Sequence, residues 1–217
     1  MTAAVLAQRI EREQLLAIVR ADSATATLAA LDGLAQAGVA PVEIALSSDH
    51  ALDTLAQAVE RHGDAMTIGA GTVRSLTSAR DALAAGAQFL VSPGFDAAIA
   101  AFARERDLLH LPGVFTPTEV DAALAAQAPL LKLFPAGRLG PGYIRDLLGP
   151  FPQARFVATG GVGAGNAADF ISAGAVAVAP GGALLQGGEQ PTAAAVAARA
   201  AEIQLALSMS AKERRAN

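Results

Sequence analysis

The chain has 217 residues, enough for one large core, and 53% of them are hydrophobic, with many Ala and Gly, few aromatics and no Trp. A net charge of −4 with no basic stripe argues against a nucleic-acid partner, and the absence of Cys removes disulfide and thiol chemistry. No apolar run reaches the roughly 18 residues of a membrane span, and the N-terminus turns charged too early for a signal peptide, so the expected setting is the cytoplasm.

In chain order, short apolar runs alternate with Ala-rich helical stretches. The runs are LLAIV (15–19), PVEIAL (41–46), MTIGA (66–70), QFLVS (88–92), LLHLP (108–112), LLKLF (130–134), RFVAT (155–159) and AVAVA (175–179). Each is almost continuously apolar, as parallel strands covered on both faces are. Ser23 opens the first intervening helix, which ends near Gly38; Ser48 or Asp49 opens the second, which stops by Gly63; the third ends near Gly86. TPTE (116–119) combines an N-cap Thr, a Pro at the first helical position and a Glu three residues after the cap. Eight βα repeats without a linker predict one (β/α)8 barrel over residues 1–217, with an open doubly wound sheet as the alternative.

In such a barrel the chemistry gathers at the C-terminal strand ends. Those ends carry Arg20, Glu43, Thr72, Pro93, Lys132, Thr159, Gly160, Gly161, Gly181 and Gly182. Only two lysines occur in the chain, against fourteen arginines, and one of them, Lys132, stands inside an apolar strand. Alternation puts it on one face with Leu130 and Phe134, opposite Leu131 and Leu133. A desolvated amine can act as a nucleophile near neutral pH, which an arginine cannot. Equally open is a snorkelling or ion-paired lysine. Glu43 interrupts a second apolar strand and reads either as a proton carrier or as the structural partner of Lys132 or Arg20. Arg20 could clamp a carboxylate or bridge to a surface acid. TGGV (159–162) and PGGALL (180–185) follow the last two strands, where barrels of this kind often bind phosphate through backbone N–H groups. The three histidines, His50, His62 and His110, form no cluster with ligand spacing, so no metal is expected; His110 reads as an interior histidine.

Taken together, VEIAL, IGAGTV, FLVSPGF, LPGVFTPTE, LKLFPAG and GPFPQARFVATGGV resemble the 2-keto-3-deoxy-6-phosphogluconate (KDPG) and 4-hydroxy-2-oxoglutarate (KHG) aldolase family, from about residue 15 to 186. The resemblance implies a Schiff-base mechanism without metal or organic cofactor. Lys132 would form the imine and Glu43 would move protons. Thr72, Pro93, Phe134 and Thr159 would line a pyruvate pocket, and Gly160, Gly161, Gly181 and Gly182 would receive phosphate. It also implies a 2-keto acid substrate and a homotrimer. Some members carry an Arg four residues after the Glu, where this chain has Ser47. A branch that includes 6-phosphogalactonate aldolases closes its first strand with an Arg, as Arg20 does here. Ala158 replaces the usual Pro before TGGV, and Gly182 stands where many members have a phosphate-binding Ser, after an unusual Pro180. Cleavage of 4-hydroxy-2-oxoglutarate needs no phosphate. A phosphosugar isomerase or epimerase, or a non-catalytic sugar-acid binder, would use the same charges differently.

Overall fold

In a computed structural model, residues 1–47, 50–186 and 191–216 are described, with side chains as far as Met209. The elements in order are α1 (Ala3–Glu13), β1 (Ala17–Val19), α2 (Ala24–Gln36), β2 (Pro41–Ala45), α3 (Ala51–His62), β3 (Thr67–Gly71), α4 (Leu76–Ala84), β4 (Phe89–Val91), α5 (Ala97–Arg104), β5 (Leu109–Leu111) and β6 (Gly113–Val114). There follow α6 (Pro117–Ala125), β7 (Leu131–Leu133), α7 (Ala136–Leu139), α8 (Pro141–Leu148), β8 (Phe156–Thr159), α9 (Ala167–Ser172), β9 (Ala177–Ala179), α10 (Gly182–Leu185) and α11 (Ala193–Ala216).

All pairing is parallel, in the orders β1-β2-β3-β4-β5 and β6-β7-β8-β9. β5 and β6 are two halves of the fifth strand. Pro112 between them has no N–H to give, so the first half pairs with β4 and the second with β7. A bridge between Leu15 and Val178 joins the last strand to the first, with Leu16 N to Val178 O at 3.0 Å and Ile18 N to Pro180 O at 2.9 Å. The result is the expected eight-stranded barrel.

Side-chain alternation divides the core into two layers. Val42, Ile44, Leu131, Leu133 and Ala158 pack outward beneath the helices. Ile18, Val91, Leu111, Leu130 and Val157 fill the interior, which leaves Glu43 and Lys132 facing inward from their strands. The N-terminal end of that interior is closed by α1, a helix the strand pattern did not announce. Its Leu6, Ala7 and Ile10 are buried among Leu16, Phe89, Leu109 and Leu130, and Arg9 reaches Thr67 at the start of β3. Burying a Leu or Ile in this way contributes about 1.5–3 kcal/mol by transfer alone.

The helix caps follow the sequence where it can be checked. Ser23 accepts from Ala26 N, and Thr116 and Glu119 form a reciprocal capping box around Pro117. The proposed cap at Ser48 or Asp49 lies outside the described residues; α3 begins after His50, which makes no side-chain cap bond. Gly33 lets α2 and α11 touch, because a side chain there would run into the Ala193 backbone.

Candidate functional site

At the C-terminal end of the barrel the strands leave a cavity of about 230 Å³, on the small side for a ligand pocket. Arg20, Glu43, Lys132, Phe134 and Thr159 line it, together with the four glycines at 160, 161, 181 and 182. Seven separate stretches of sequence are needed to carry the expected site residues, and five of them meet here.

At the floor, Lys132 Nζ lies 3.7 Å from Glu43 Oε1. Register explains the pairing in part: Glu43 is flanked by Ile18 and Gly69, and Lys132 by Gly113 and Val157, all on inward-facing rows. Both groups are nearly sealed, with exposures of 1% for Glu43 and 7% for Lys132. Burial raises the Glu43 pKa above the ordinary carboxylate range, and the charges of Lys132 and Arg20 only partly oppose it. Its second oxygen, Oε2, has no hydrogen-bond partner. A buried carboxyl with a raised pKa, beside an amine and with a free oxygen, is equipped to give and take protons.

Gly71 makes this arrangement possible. A methyl group in its place would overlap the Glu43 carboxylate. Higher in the cavity, the Lys132 amine sits 5.7 Å from the centroid of the Phe134 ring, which is itself partly exposed. Gly160 and Gly161 both take left-handed backbone, with φ of +85° and +73°, where any other residue would be strained. The amides of Gly161 and Gly182 donate to no protein acceptor among the described residues, and so are free to receive an anion. Pro180 has no amide to offer, and its carbonyl is already used by Ile18.

Arg20 stands at the rim, solvent-exposed, and donates to Thr72 Oγ1 at 3.0 Å. Among the described residues it bridges to no surface acid. Thr72 therefore joins the site through Arg20 and does not line the cavity; its φ of +62° is uncommon for a β-branched residue. Pro93 is exposed beside Arg74 and Phe95 in a neighbouring depression, outside the cavity that holds Lys132. Residues the sequence did not mark also contribute. Ile18, Ala179 and Leu185 line the wall, and Gly137 packs on the 160–161 loop, its N–H reaching Gly160 O at 2.7 Å. Two-residue alternation from Arg20 and Gly181 would have found Ile18 and Ala179. Among the described residues no three His, Cys, Asp or Glu side chains cluster so as to hold a metal ion.

The family model for KDPG and KHG aldolases matches residues 6–198. The chain belongs to that aldolase family. It is 36% identical over 177 residues to the 2-dehydro-3-deoxy-6-phosphogalactonate aldolase of Escherichia coli, covering 81% of this chain and 86% of the relative. A solved structure of native KDPGal superposes with a TM-score of 0.85 at 31% identity, covering 91% of this chain and 96% of that one. The KDPG aldolase of Legionella pneumophila, with pyruvate captured as a covalent carbinolamine intermediate, superposes with a TM-score of 0.74 at 25% identity over 89% of this chain and 92% of that one. The protein is thus a carbon–carbon lyase of the class I aldolase type acting on a small molecule, and the isomerase and binding-barrel alternatives fall away. Among the described residues no helix is long and apolar enough to cross a membrane.

Proposed function

We propose that the substrate is a 2-keto-3-deoxy-6-phospho sugar acid of the gluconate or galactonate type, cleaved to pyruvate and glyceraldehyde 3-phosphate. The observation that carries this reading is the Lys132 amine 3.7 Å from the Glu43 carboxylate inside a cavity rimmed by glycine loops. Lys132 adds to the C2 ketone, and Glu43 supplies the proton with which water leaves the carbinolamine to give the iminium. Glu43, directly or through a water, takes the proton from the C4 hydroxyl as the C3–C4 bond breaks. The bond's electron pair moves into the iminium, leaving a bound enamine and a free aldehyde. Return of the proton to C3 and attack of water on the imine release pyruvate and restore the amine.

Arg20, held by Thr72, is the cation available beyond Lys132 in the cavity wall, and we assign it the substrate carboxylate. Ser47, exposed after β2, has no charge for that task. Thr159 and Phe134 bound the pyruvate end; Pro93, outside the cavity, is given no part in it. Gly160, Gly161, Gly181 and Gly182 face the phosphate with their backbone. We further assign a homotrimer, as the family resemblance implies, and, from the unbroken βα alternation and the composition, a single barrel domain and a cytoplasmic setting.

Cleavage of 4-hydroxy-2-oxoglutarate to pyruvate and glyoxylate is the second reading. Gly182 brings no hydroxyl and Pro180 no N–H to the phosphate loop, a loss worth about tenfold in affinity for each missing neutral hydrogen bond. Borohydride reduction with pyruvate, followed by peptide mass analysis, is expected to modify Lys132; labelling elsewhere or none at all would sink the assignment. Comparing kcat/KM with and without the 6-phosphate decides between the two substrates, equal values favouring the unphosphorylated one.

A further inference from the structure

One buried polar pair has no part in the chemistry above. Ser92 Oγ lies 2.9 Å from His110 Nε2, and the two residues are only 1% and 4% exposed. Because Leu109 and Leu111 fill the barrel interior, His110 projects to its outer side, and Ser92 meets it there from the end of β4. Burial pushes the His110 imidazole down to about 4 against the weaker pull of Asp96, so the ring is neutral at working pH. Among the described residues its Nδ1 has no hydrogen-bond partner, which leaves Ser92 as its one side-chain bond there. An apolar pair would fill the same space without desolvating two polar groups.

Its position gives it a use. The pair sits beside the break at Pro112, where the fifth strand leaves β4 and turns to β7. The regular ladder between the fourth and fifth strands runs as far as Ser92 N to Leu111 O at 3.0 Å. Beyond that, Gly113 N reaches Gly94 O only at 3.3 Å, and the Pro93 carbonyl packs so closely on Gly113 that no side chain fits. On its other edge the same short segment holds the lysine backbone: Gly113 is the register partner of Lys132, and Lys132 N donates to Pro112 O at 2.9 Å.

We infer that Ser92 and His110 are a positioning pair for Lys132. Their side-chain bond clamps the fourth strand to the fifth where the backbone bonding thins to the 3.3 Å contact of Gly113 N with Gly94 O. Through Pro93, Pro112 and Gly113 it fixes the depth at which the amine enters the cavity. This rests on Lys132 being the imine-forming residue.

The test uses the full chain and four variants: Ser92→Ala, His110→Leu, the double variant, and His110→Gln, whose amide nitrogen can replace Nε2. The rate of borohydride-trapped imine at Lys132 with saturating pyruvate, kcat, KM and melting temperature are measured. Misplacement of the amine should slow trapping and kcat on the order of tenfold in each single variant. KM should move less, the double variant should be no slower than either single one, and His110→Gln should regain most of the rate. Should His110→Leu fail to fold, Ser92→Ala, which removes one oxygen, carries the test. Parent-like trapping in a folded variant with a lowered melting temperature, or losses that add in the double variant, would overturn the pair while leaving the imine assignment intact. No adduct at Lys132 in the parent would overturn both, and would locate the failure at the lysine.

Discussion

The two ends of the barrel are built from the same strands and treat water in opposite ways. At the N-terminal end, α1 lowers Leu6, Ala7 and Ile10 between the strand starts, and the interior there is mostly apolar, Thr67 with its bond from Arg9 being the polar exception. At the C-terminal end the same interior holds Glu43 and Lys132, beneath an open cavity bounded by glycine loops, Arg20, Leu185 and the Phe134 ring. Stability is concentrated where the plug excludes solvent, and chemistry where the end is left open to a ligand. The difference teaches that a charged pair can be kept buried in a barrel if the opposite end contributes enough apolar packing to offset its desolvation.

The comparison breaks most sharply at Lys132. Lys132→Ala should abolish turnover and borohydride trapping while the melting temperature stays at or above that of the parent, since an enzyme site often costs stability. A melting temperature well below the parent's would mean that the open end is structural after all. Next comes Glu43→Gln, expected to lower kcat by about 10²–10⁴. Folded Glu43 keeps its proton above the ordinary value of 4.5, where the unfolded chain has released it, so its ionisation costs stability as pH rises. The glutamine variant should therefore gain on the parent in chemical denaturation at pH 8 and lose that advantage below pH 4.5. Arg20→Ala should raise KM for the keto acid by about ten- to a hundredfold, from the loss of a charge-assisted contact, and change stability little; steady-state kinetics against Arg20→Lys measures it. At the closed end, Ile10→Ala should cost about 2–5 kcal/mol of stability in denaturant and leave kcat of the folded enzyme nearly unchanged. A drop in kcat that matches the drop in stability would show the two ends to be coupled.

The barrel was legible because parallel strands covered on both faces write continuous apolar runs, and because Ser23 and the Thr116–Glu119 box punctuate the helices between them. Glu43 and Lys132 were legible for the converse reason: a charge inside such a run is anomalous. What escaped was of three kinds. The plug was missed because α1 shows only Leu6, Ala7 and Ile10 as a core face, in a segment whose second half is largely charged. The division of the fifth strand was missed although Pro112 marks it, since a missing donor matters only once the neighbouring strands are known. Leu185 carries no mark at all, and Ile18 and Ala179 are marked only by their two-residue spacing from Arg20 and Gly181, because an apolar residue on a cavity wall looks like any other in the core. Thr72 and Pro93 were named correctly as strand-end residues, but position along the chain does not say which side of a rim a residue takes.

Gly71 never reaches the cavity wall, yet the carboxylate of Glu43 occupies the volume its missing side chain would claim. The proposed proton carrier is thus accommodated by an absence, one strand away. Adding a single carbon at position 71 would evict the carboxylate while leaving every group that meets the keto acid chemically intact. An otherwise inert backbone position would in that way act as an off switch for the enzyme, invisible to any inventory of functional groups.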